Sequence, residues 1–278
     1  MRHSALALLL LWAGAAAAAE RVVTLAPHLA ELVCTVGACD RLVGVVAHTD
    51  EPGAKDVPRI GDAFSLNPEA VLALRADLVL AWRGGTSPQL VERLQALKIP
   101  VRWVAVNTLE DVGAALLDIG GQLSREDAAC AAEARYRGRL LQLRERYAGR
   151  PELRVFYQIE VQPMFSVNRQ SPISEAIELC GGVNVLADMP MLSAPVSTEA
   201  VLAARPDVIV YGRQDMAAAI RAFWARWPQL RAVHQGQLYA IDADRLTRQS
   251  PRVLEGVAEL CETLEVARRR QATTRGSN

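Results

Sequence analysis

Short apolar segments alternate with segments of helical periodicity along most of the chain. Runs rich in Val, Ile and Leu predict strands at residues 21–25, 42–46, 78–81, 101–104, 154–157, 208–211 and 238–240. Apolar residues at helical spacing predict helices at residues 29–36, 68–74, 88–97, 109–123, 173–179, 198–204, 216–224 and 251–264. This alternation is typical of parallel sheets covered by helices, so the predicted fold class is α/β.

One segment without a strand pattern divides these elements into two sets. Residues 124–149 are rich in Ala, Leu, Arg and Glu, begin with Ser-Arg-Glu-Asp, which suits a capping box, and end at Gly149 before Pro151. A single helix of about 25 residues would be about 37 Å long. That length favours a strut between two lobes over an ordinary crossover helix.

The two halves of the chain repeat one pattern. Residues 66–81 read LNPEAVLALRADLVLA, and residues 196–211 read VSTEAVLAARPDVIVY. We therefore predict two Rossmann-like lobes with parallel central sheets, joined by one long backbone helix. The predicted order is an N-terminal α/β lobe at 20–123, the connecting helix at 124–149, a C-terminal α/β lobe at 150–267 and a disordered tail at 268–278.

The first residues have the composition of a secretory signal peptide. Arg2 and His3 form a positive start, residues 5–12 form a short apolar run, and residues 13–19 are almost all small. The apolar run is well short of the roughly 20 residues that span a bilayer, which argues against a membrane anchor. We predict export to the periplasm, with residues 1–19 removed by cleavage after Ala19.

The net charge limits the expected partners, and the cysteine content indicates which covalent cross-links are expected. The formal net charge is +0, so no overall field favours nucleic acid. In an exported protein the five cysteines favour disulfides. Cys180 and Cys261 lie in similar contexts near the ends of predicted helices and suggest one bridge. Cys34 and Cys39 flank a Gly-containing turn and suit a short local bridge. Cys130 is interpreted as a buried thiol on a helix, and the connectivity stays open.

Two glutamates occupy equivalent places in the two halves. Glu69 and Glu199 each lie in the first turn of a predicted helix. The helix dipole stabilises an acidic residue there by about 0.3–1 kcal/mol, which explains either Glu alone. A carboxylate at the same place on each lobe also suits docking to a two-fold partner that carries Arg. The residues alone do not decide between these interpretations.

The loop after the third predicted strand reads AWRGGTS. Trp82 and Arg83 suit an aromatic and cationic lining for an organic ligand, and the two following glycines permit close approach of the backbone. His28 and His48 each follow a predicted strand, and imidazole suits cobalt, iron and zinc.

The segment before the last predicted helix supplies polar groups. Asp244 and Arg248 suit hydrogen bonds to amide or carboxylate groups of a ligand. The sequence has no phosphate loop, dinucleotide fingerprint, HExxH or GxSxG. We therefore predict a receptor with no catalytic residues and no catalytic cofactor. The alternative from another class is an exported two-domain enzyme.

These residues together resemble the periplasmic cobalamin-binding proteins of vitamin ABC importers, which belong to the class III receptors with a helical backbone between two lobes. The resemblance covers essentially the whole mature chain. It rests on AWRGG at 81–85, ELCGGVN at 178–184, the two Glu helices and SPR at 250–252. It implies a monomeric receptor that captures cobalamin or another corrinoid and delivers it to a dimeric ABC permease.

The resemblance implies roles for matched residues. Glu69 and Glu199 match carboxylates that dock onto permease arginines, and Cys180 and Cys261 match the family's disulfide. With the candidates from the loops, the predicted ligand contacts are Pro27, His28, His48, Phe64, Trp82, Arg83, Phe165, Asp244 and Arg248.

The chain departs from the family in the predicted cleft. Ala63 and Ser193 stand where the cobalamin binder has tryptophans, and His48 stands where it has a tyrosine. The loss of two aromatic faces removes apolar contact with a macrocycle. Binding of haem or a ferric siderophore, with His28 or His48 as an axial metal ligand, is therefore the alternative within the same fold.

Overall fold

Two four-stranded parallel sheets organise the computed structural model, which describes residues 18–62, 66–212 and 214–276. The N-terminal sheet contains β1 (Val22–Thr24), β2 (Leu42–Val45), β3 (Leu78–Trp82) and β4 (Val101–Val104), in the spatial order β2-β1-β3-β4. Its helices are α1 (Pro27–Thr35), α2 (Pro68–Ala73), α3 (Pro88–Ala96) and α4 (Leu109–Gln122). Strand β1 is buried along its whole length, which explains its unbroken apolar sequence.

Helix α5 (Glu126–Tyr147) follows this lobe and packs against both lobes. At 1.5 Å per residue its 22 residues span about 33 Å. One face of the helix is buried, and its buried residues recur every three or four positions: Ala129, Ala132, Tyr136, Leu140, Leu143 and Tyr147. They belong to one apolar core that continues from Leu116 in the N-terminal lobe to Val155 in the C-terminal lobe. The predicted strut is therefore confirmed.

The C-terminal lobe repeats the architecture of the first. Its strands are β5 (Leu153–Gln158), β6 (Phe165–Val167), β7 (Gly182–Asn184), β8 (Ser193–Pro195), β9 (Val208–Tyr211) and β10 (Leu238–Ala240). The parallel sheet has the order β10-β9-β5-β7, while β6 and β8 form an antiparallel pair. The helices are α6 (Pro172–Leu179), α7 (Thr198–Ala204), α8 (Ala217–Trp224), α9 (Arg231–His234), α10 (Ala243–Thr247) and α11 (Val253–Gly276).

The last helix is longer than the sequence analysis predicted. Helix α11 continues to Gly276, so residues 268–276 are helical and do not form the expected disordered tail. Arg268 explains part of this order, because its guanidinium donates to the carbonyl oxygens of Pro151 (2.7 Å), Cys180 (2.8 Å) and Gly181 (2.8 Å). No helix within the described ranges combines the length and apolar composition needed to cross a membrane.

Both expected cysteine pairs are disulfides. Cys180 at the end of α6 is bonded to Cys261 in α11, and Cys34 is bonded to Cys39. Glu51 lies within 4.8 Å of Cys34 and Cys39, but that disulfide leaves no thiolate for a metal ion. Cys130 is exposed, contrary to the prediction of a buried thiol. It follows the buried Ala129 by one residue, about 100° around α5, and therefore leaves the buried stripe.

Candidate functional site

The carboxyl ends of β1, β2 and β3 surround a cavity of about 290 Å³. In a parallel sheet these ends share one edge, where ligands of α/β proteins commonly bind. The residues that line the cavity are Leu25, Ala26, Pro27, His28, Val46, Ala47, His48, Asp62, Trp82 and Gly85. Four of the predicted ligand contacts, Pro27, His28, His48 and Trp82, therefore meet in one place. We call this the histidine cavity.

Larger cavities lie elsewhere on the C-terminal half of the molecule. One of about 520 Å³ is lined by Arg154, Arg205, Asp207 and Arg231 among others. Three of its charged side chains already have protein partners, since Arg154 donates to the Ala204 oxygen (2.7 Å) and Arg231 pairs with Asp207 (2.7 Å). The histidine cavity combines aromatic and imidazole groups without such pairing, so we regard it as the candidate site.

The Trp82 side chain folds back over its own turn. The hydroxyl of Thr86 accepts from the Trp82 backbone nitrogen (2.9 Å), and the Thr86 nitrogen donates to the Trp82 oxygen (2.9 Å). A β-carbon at Gly85 would lie 2.2 Å from the indole, and one at Gly84 would lie 2.7 Å from it. The two glycines therefore make room for the Trp82 ring, whereas the sequence analysis assigned them to close ligand approach.

His28 forms the inner wall of the histidine cavity. Its ring meets the Trp82 ring edge to face, with 5.3 Å between centroids. The residue is only 6% exposed, and its Nε2 has no hydrogen-bond partner among the described residues. Burial, with a smaller contribution from the positive charge of Arg248, lowers the pKa of His28 to about 4. At neutral pH His28 is therefore an uncharged imidazole.

His48 lies on the loop after β2 and is exposed. Its φ of 62° is in the left-handed region, which is uncommon for a residue with a side chain. The loop is held on both sides, because Ala47 donates to the Gly61 oxygen (2.7 Å) and the Thr49 hydroxyl donates to the Val46 oxygen (2.8 Å). Such strain persists only where the surroundings fix it, and it occurs often at ligand sites.

A charged cluster joins the two lobes beside this cavity. Glu31 on α1 is 2% exposed and receives hydrogen bonds from the C-terminal lobe, from the Ser250 hydroxyl and from Arg252 (3.2 Å). Arg248 lies 3.2 Å from Glu31 and 3.0 Å from Asp50. Arg252 also contacts Asp50, at 3.1 Å. We call these five residues the interlobe clasp.

A second contact between the lobes involves α4, α5 and α6. Glu175 on α6 accepts from the backbone nitrogen of Leu109 at the start of α4 (2.7 Å), and Arg144 on α5 donates to it (3.1 Å). Arg144 also pairs with Glu110. Burial raises the pKa of Glu175 to about 6, and the neighbouring Glu110 adds to the increase. Burial also tends to raise the pKa of Glu110, but hydrogen bonds with Arg144 and Glu175 hold it below its ordinary value.

The raised pKa of Glu175 should be visible in the pH dependence of stability. Native Glu175 binds its proton more tightly than an ordinary glutamate of pKa 4.5, so its contribution to the free energy of unfolding falls as pH rises from 4.5 to about 6. Glu175→Gln keeps an acceptor for Leu109 and removes this titration. We expect the stability difference between wild type and variant to change by about 1–2 kcal/mol over that window.

Urea unfolding at closely spaced pH values measures this difference. The lowered pKa of His28 makes the free energy of unfolding rise with pH in both proteins, opposite to the effect of Glu175. Only the difference between wild type and variant therefore reports on Glu175. Glu178→Gln is the matched control, because Glu178 is an exposed glutamate on the same helix. A difference that stays constant across the window would contradict the assignment to Glu175.

The other predicted ligand contacts do not line the histidine cavity. Arg83 lies over the Trp103 ring, 5.1 Å from its centroid. Phe165 begins β6 opposite Pro195 and is half-buried. Asp244 and Arg248 are paired with each other, with Arg248 in the interlobe clasp. Phe64 lies outside the described residues.

Several residues of the site were not predicted from the sequence. Asp62 lines the cavity, and Glu31, Asp50, Ser250 and Arg252 complete the clasp. Glu31 carried a recognisable signal, because it is a lone charge within the buried helical run Leu29–Val33. Its partners lie about 220 positions later in the chain, beyond the range of any local pattern.

Known proteins share this architecture. A model of the family described as periplasmic binding protein matches residues 22–245. The chain belongs to the periplasmic binding protein family. The vitamin B12-binding protein of Yersinia pestis is 34% identical to it over 265 residues, which are 95% of this chain and 92% of that protein.

Two solved structures of this family share the fold. The crystal structure of the periplasmic vitamin B12 binding protein of Vibrio cholerae has a TM-score of 0.82 and 32% identity, and the match covers 90% of this chain and 98% of that one. A periplasmic haem-binding protein from Pseudomonas aeruginosa has a TM-score of 0.75 and 26% identity, with 87% and 91% covered. Family membership identifies a periplasmic transport receptor.

Proposed function

We propose that this protein captures a corrinoid, cobalamin or a close relative, between its two lobes and delivers it to an ABC import permease. The observation that carries the proposal is the histidine cavity at the carboxyl edge of the first sheet, where Trp82 offers an aromatic face. The similarity to vitamin B12-binding proteins at 32–34% identity over nearly the whole chain supports a corrinoid as the ligand.

The described residues of the histidine cavity are consistent with ligand binding. The described residues around the cavity include no nucleophile hydrogen-bonded to a base. In the proposed function a corrinoid is transported cargo. The other five predicted contacts remain predictions, since a macrocycle is larger than the cavity and would extend across the space between the lobes: Phe64, Arg83, Phe165, Asp244 and Arg248.

Removal of the Trp82 ring tests the proposed site. We expect Trp82→Ala to weaken the binding of cobalamin about tenfold or more, because the ring supplies a large apolar face to the ligand. Isothermal titration calorimetry with cobalamin and with cobinamide gives both affinities. Trp103→Ala is the matched control, because Trp103 is also half-buried, on the adjacent strand, and does not line the cavity.

Two results would contradict the corrinoid assignment. One is the absence of any heat change when wild-type protein is titrated with cobalamin or cobinamide. The other is an equal loss of affinity in Trp82→Ala and Trp103→Ala, which would indicate general damage to the lobe. Circular dichroism of both variants establishes that they fold.

Haem is the second candidate ligand, favoured by the two histidines in one cavity. The haem-binding relative from Pseudomonas aeruginosa is 26% identical, less than the vitamin B12-binding relatives. Addition of haem to the purified protein separates the candidates, since axial imidazole ligation would produce a sharp Soret band. A band that disappears in His28→Ala or His48→Ala would favour haem over a corrinoid.

The route of delivery is proposed to run through Glu69 and Glu199. Both are exposed, and both lie in the first turn of a helix, α2 in one lobe and α7 in the other. Their helices are capped by other side chains, Asn67 and Ser197. No ion pair joins either carboxylate to another residue in the described part of the chain, so both remain available for arginines of a permease dimer.

Export is the remaining part of the proposal. The predicted signal peptide ends at Ala19, which makes Glu20 the first mature residue. The Glu20 backbone nitrogen donates to Asp77 (2.9 Å), so a charged amino terminus at Glu20 would meet a carboxylate. This arrangement is compatible with cleavage after Ala19.

A further inference from the structure

His48 combines a fixed backbone with an unengaged ring. The loop bonds at Ala47 and Thr49 hold the backbone on either side of it, and Arg59 also donates to the Thr49 oxygen (3.1 Å). Asp50, two residues later, is tied to Arg248 and Arg252 of the other lobe. No hydrogen bond, ion pair or ring contact joins the His48 ring to another described residue. The loop therefore presents an imidazole at the cavity that the fold itself does not use.

The geometry of the cavity makes His48 its accessible imidazole. The other imidazole in the cavity, His28, is only 6% exposed and packs edge to face against the Trp82 ring. The remaining wall is mostly apolar, with Trp82 and the carboxylate of Asp62. His48, which is exposed, is therefore the histidine of this cavity that a bulky ligand can reach.

We propose that His48 is an axial ligand of the cobalt in a base-free corrinoid, one that lacks the nucleotide base of cobalamin. This rests on the proposed corrinoid function. Cobalt accepts imidazole nitrogen readily, and a base-free corrinoid has an axial position occupied only by exchangeable water. In the binding step one water molecule leaves the cobalt, and a ring nitrogen of His48 donates its lone pair in its place. The oxidation state of cobalt does not change.

This coordination gives the receptor a basis for choosing among corrinoids. In cyanocobalamin both axial positions are already filled, one by cyanide and one by the ligand's own base. The loss of His48 therefore removes a bond to cobinamide but only a contact to cyanocobalamin. We expect His48→Asn to weaken the binding of diaquacobinamide about tenfold or more and the binding of cyanocobalamin less than about threefold. Asn adopts a positive φ more readily than most residues, so this variant keeps the loop conformation.

Electron paramagnetic resonance identifies the ligand atom directly. Untagged protein in phosphate buffer is loaded with cobalt(II) cobinamide, which has no nucleotide base of its own. An axial nitrogen from the protein splits the high-field cobalt lines into triplets, and incorporation of ¹⁵N-histidine converts them to doublets. We expect this pattern in wild type, its loss in His48→Asn, and its retention in His234→Asn.

His234→Asn is the matched control, because His234 is an exposed histidine on α9, away from the cavity. Cobinamide that binds wild type without nitrogen splitting would overturn the inference and leave the proposed function intact. Splitting that persists in His48→Asn would overturn it as well. The absence of binding by any corrinoid would instead refute the proposed function, and the inference with it.

Discussion

The double variant Glu69→Arg, Glu199→Arg is expected to abolish corrinoid uptake while it leaves ligand binding unchanged. Both carboxylates are exposed at the starts of α2 and α7, and neither lines the histidine cavity. If they dock onto permease arginines, charge reversal replaces two attractions with two repulsions, each costing several kcal/mol. Uptake of labelled cobalamin by cells that lack their own receptor should then fall to the background level.

The single variants and a matched control sharpen this test. Each single reversal leaves one docking carboxylate and should reduce uptake without abolishing it. Glu92→Arg, Glu178→Arg is the control, because it reverses two exposed glutamates, one on each lobe, at helix positions outside the first turn. Uptake that survives in the Glu69, Glu199 variant, with expression and affinity unchanged, would contradict docking through these residues. The helix dipole would then be the sufficient explanation for both.

The main elements of the fold could be predicted because each carries a local signal. Each predicted strand corresponds to one in the structure, since parallel strands covered on both faces read as continuous apolar runs. Strands β6, β7 and β8 read FSV, GVN and SAP, so that Ser, Gly, Asn or Pro interrupts each short apolar run, and these strands were not predicted. The extension of α11 beyond residue 267 was not predicted, because its mainly polar and charged residues form no apolar stripe. In the structure Arg268 holds this segment by donating to three backbone oxygens.

The candidate site was partly predictable for a similar reason. His28, His48 and Trp82 each follow or end a strand of one parallel sheet, and that position alone brings them to one edge. Arg83 was placed with Trp82 because it is adjacent in sequence. Successive residues of an extended segment point to opposite sides, however, and Arg83 lies over Trp103 instead. The interlobe clasp joins residues about 200 positions apart, so only the folded chain brings them together.

The clasp and the long helix α5 together suggest how the receptor works. The apolar core runs through α5 into both lobes, and Glu175 caps α4 across the same junction. Large hinge motion would expose this core, so we expect the lobes to move through small angles only. In the proposed function, release of the ligand then depends on force applied by the permease at Glu69 and Glu199.

The interlobe clasp should contribute measurably to stability, and Glu31→Ala is the change that tests it. Removal of Glu31 takes away a partner of two arginines and Ser250 at a site where the Arg248 side chain is only 10% exposed. Loss of one member of a buried charge pair costs about 3 kcal/mol or more. We expect the free energy of unfolding, measured in urea at pH 7, to fall by about that amount.

Glu31→Gln should cost clearly less than Glu31→Ala. Burial raises the pKa of Glu31, even though Ser250, Arg248 and Arg252 oppose the increase. The ionised carboxylate therefore already carries a desolvation cost at neutral pH that an uncharged amide avoids, while the amide still accepts hydrogen bonds. Asp118→Ala is the control, since Asp118 pairs with Arg102 at 2.8 Å on the surface, where such pairs contribute at most about 1 kcal/mol. Equal losses in Glu31→Ala and Asp118→Ala would show that the clasp behaves as an ordinary surface pair and does not hold the lobes together.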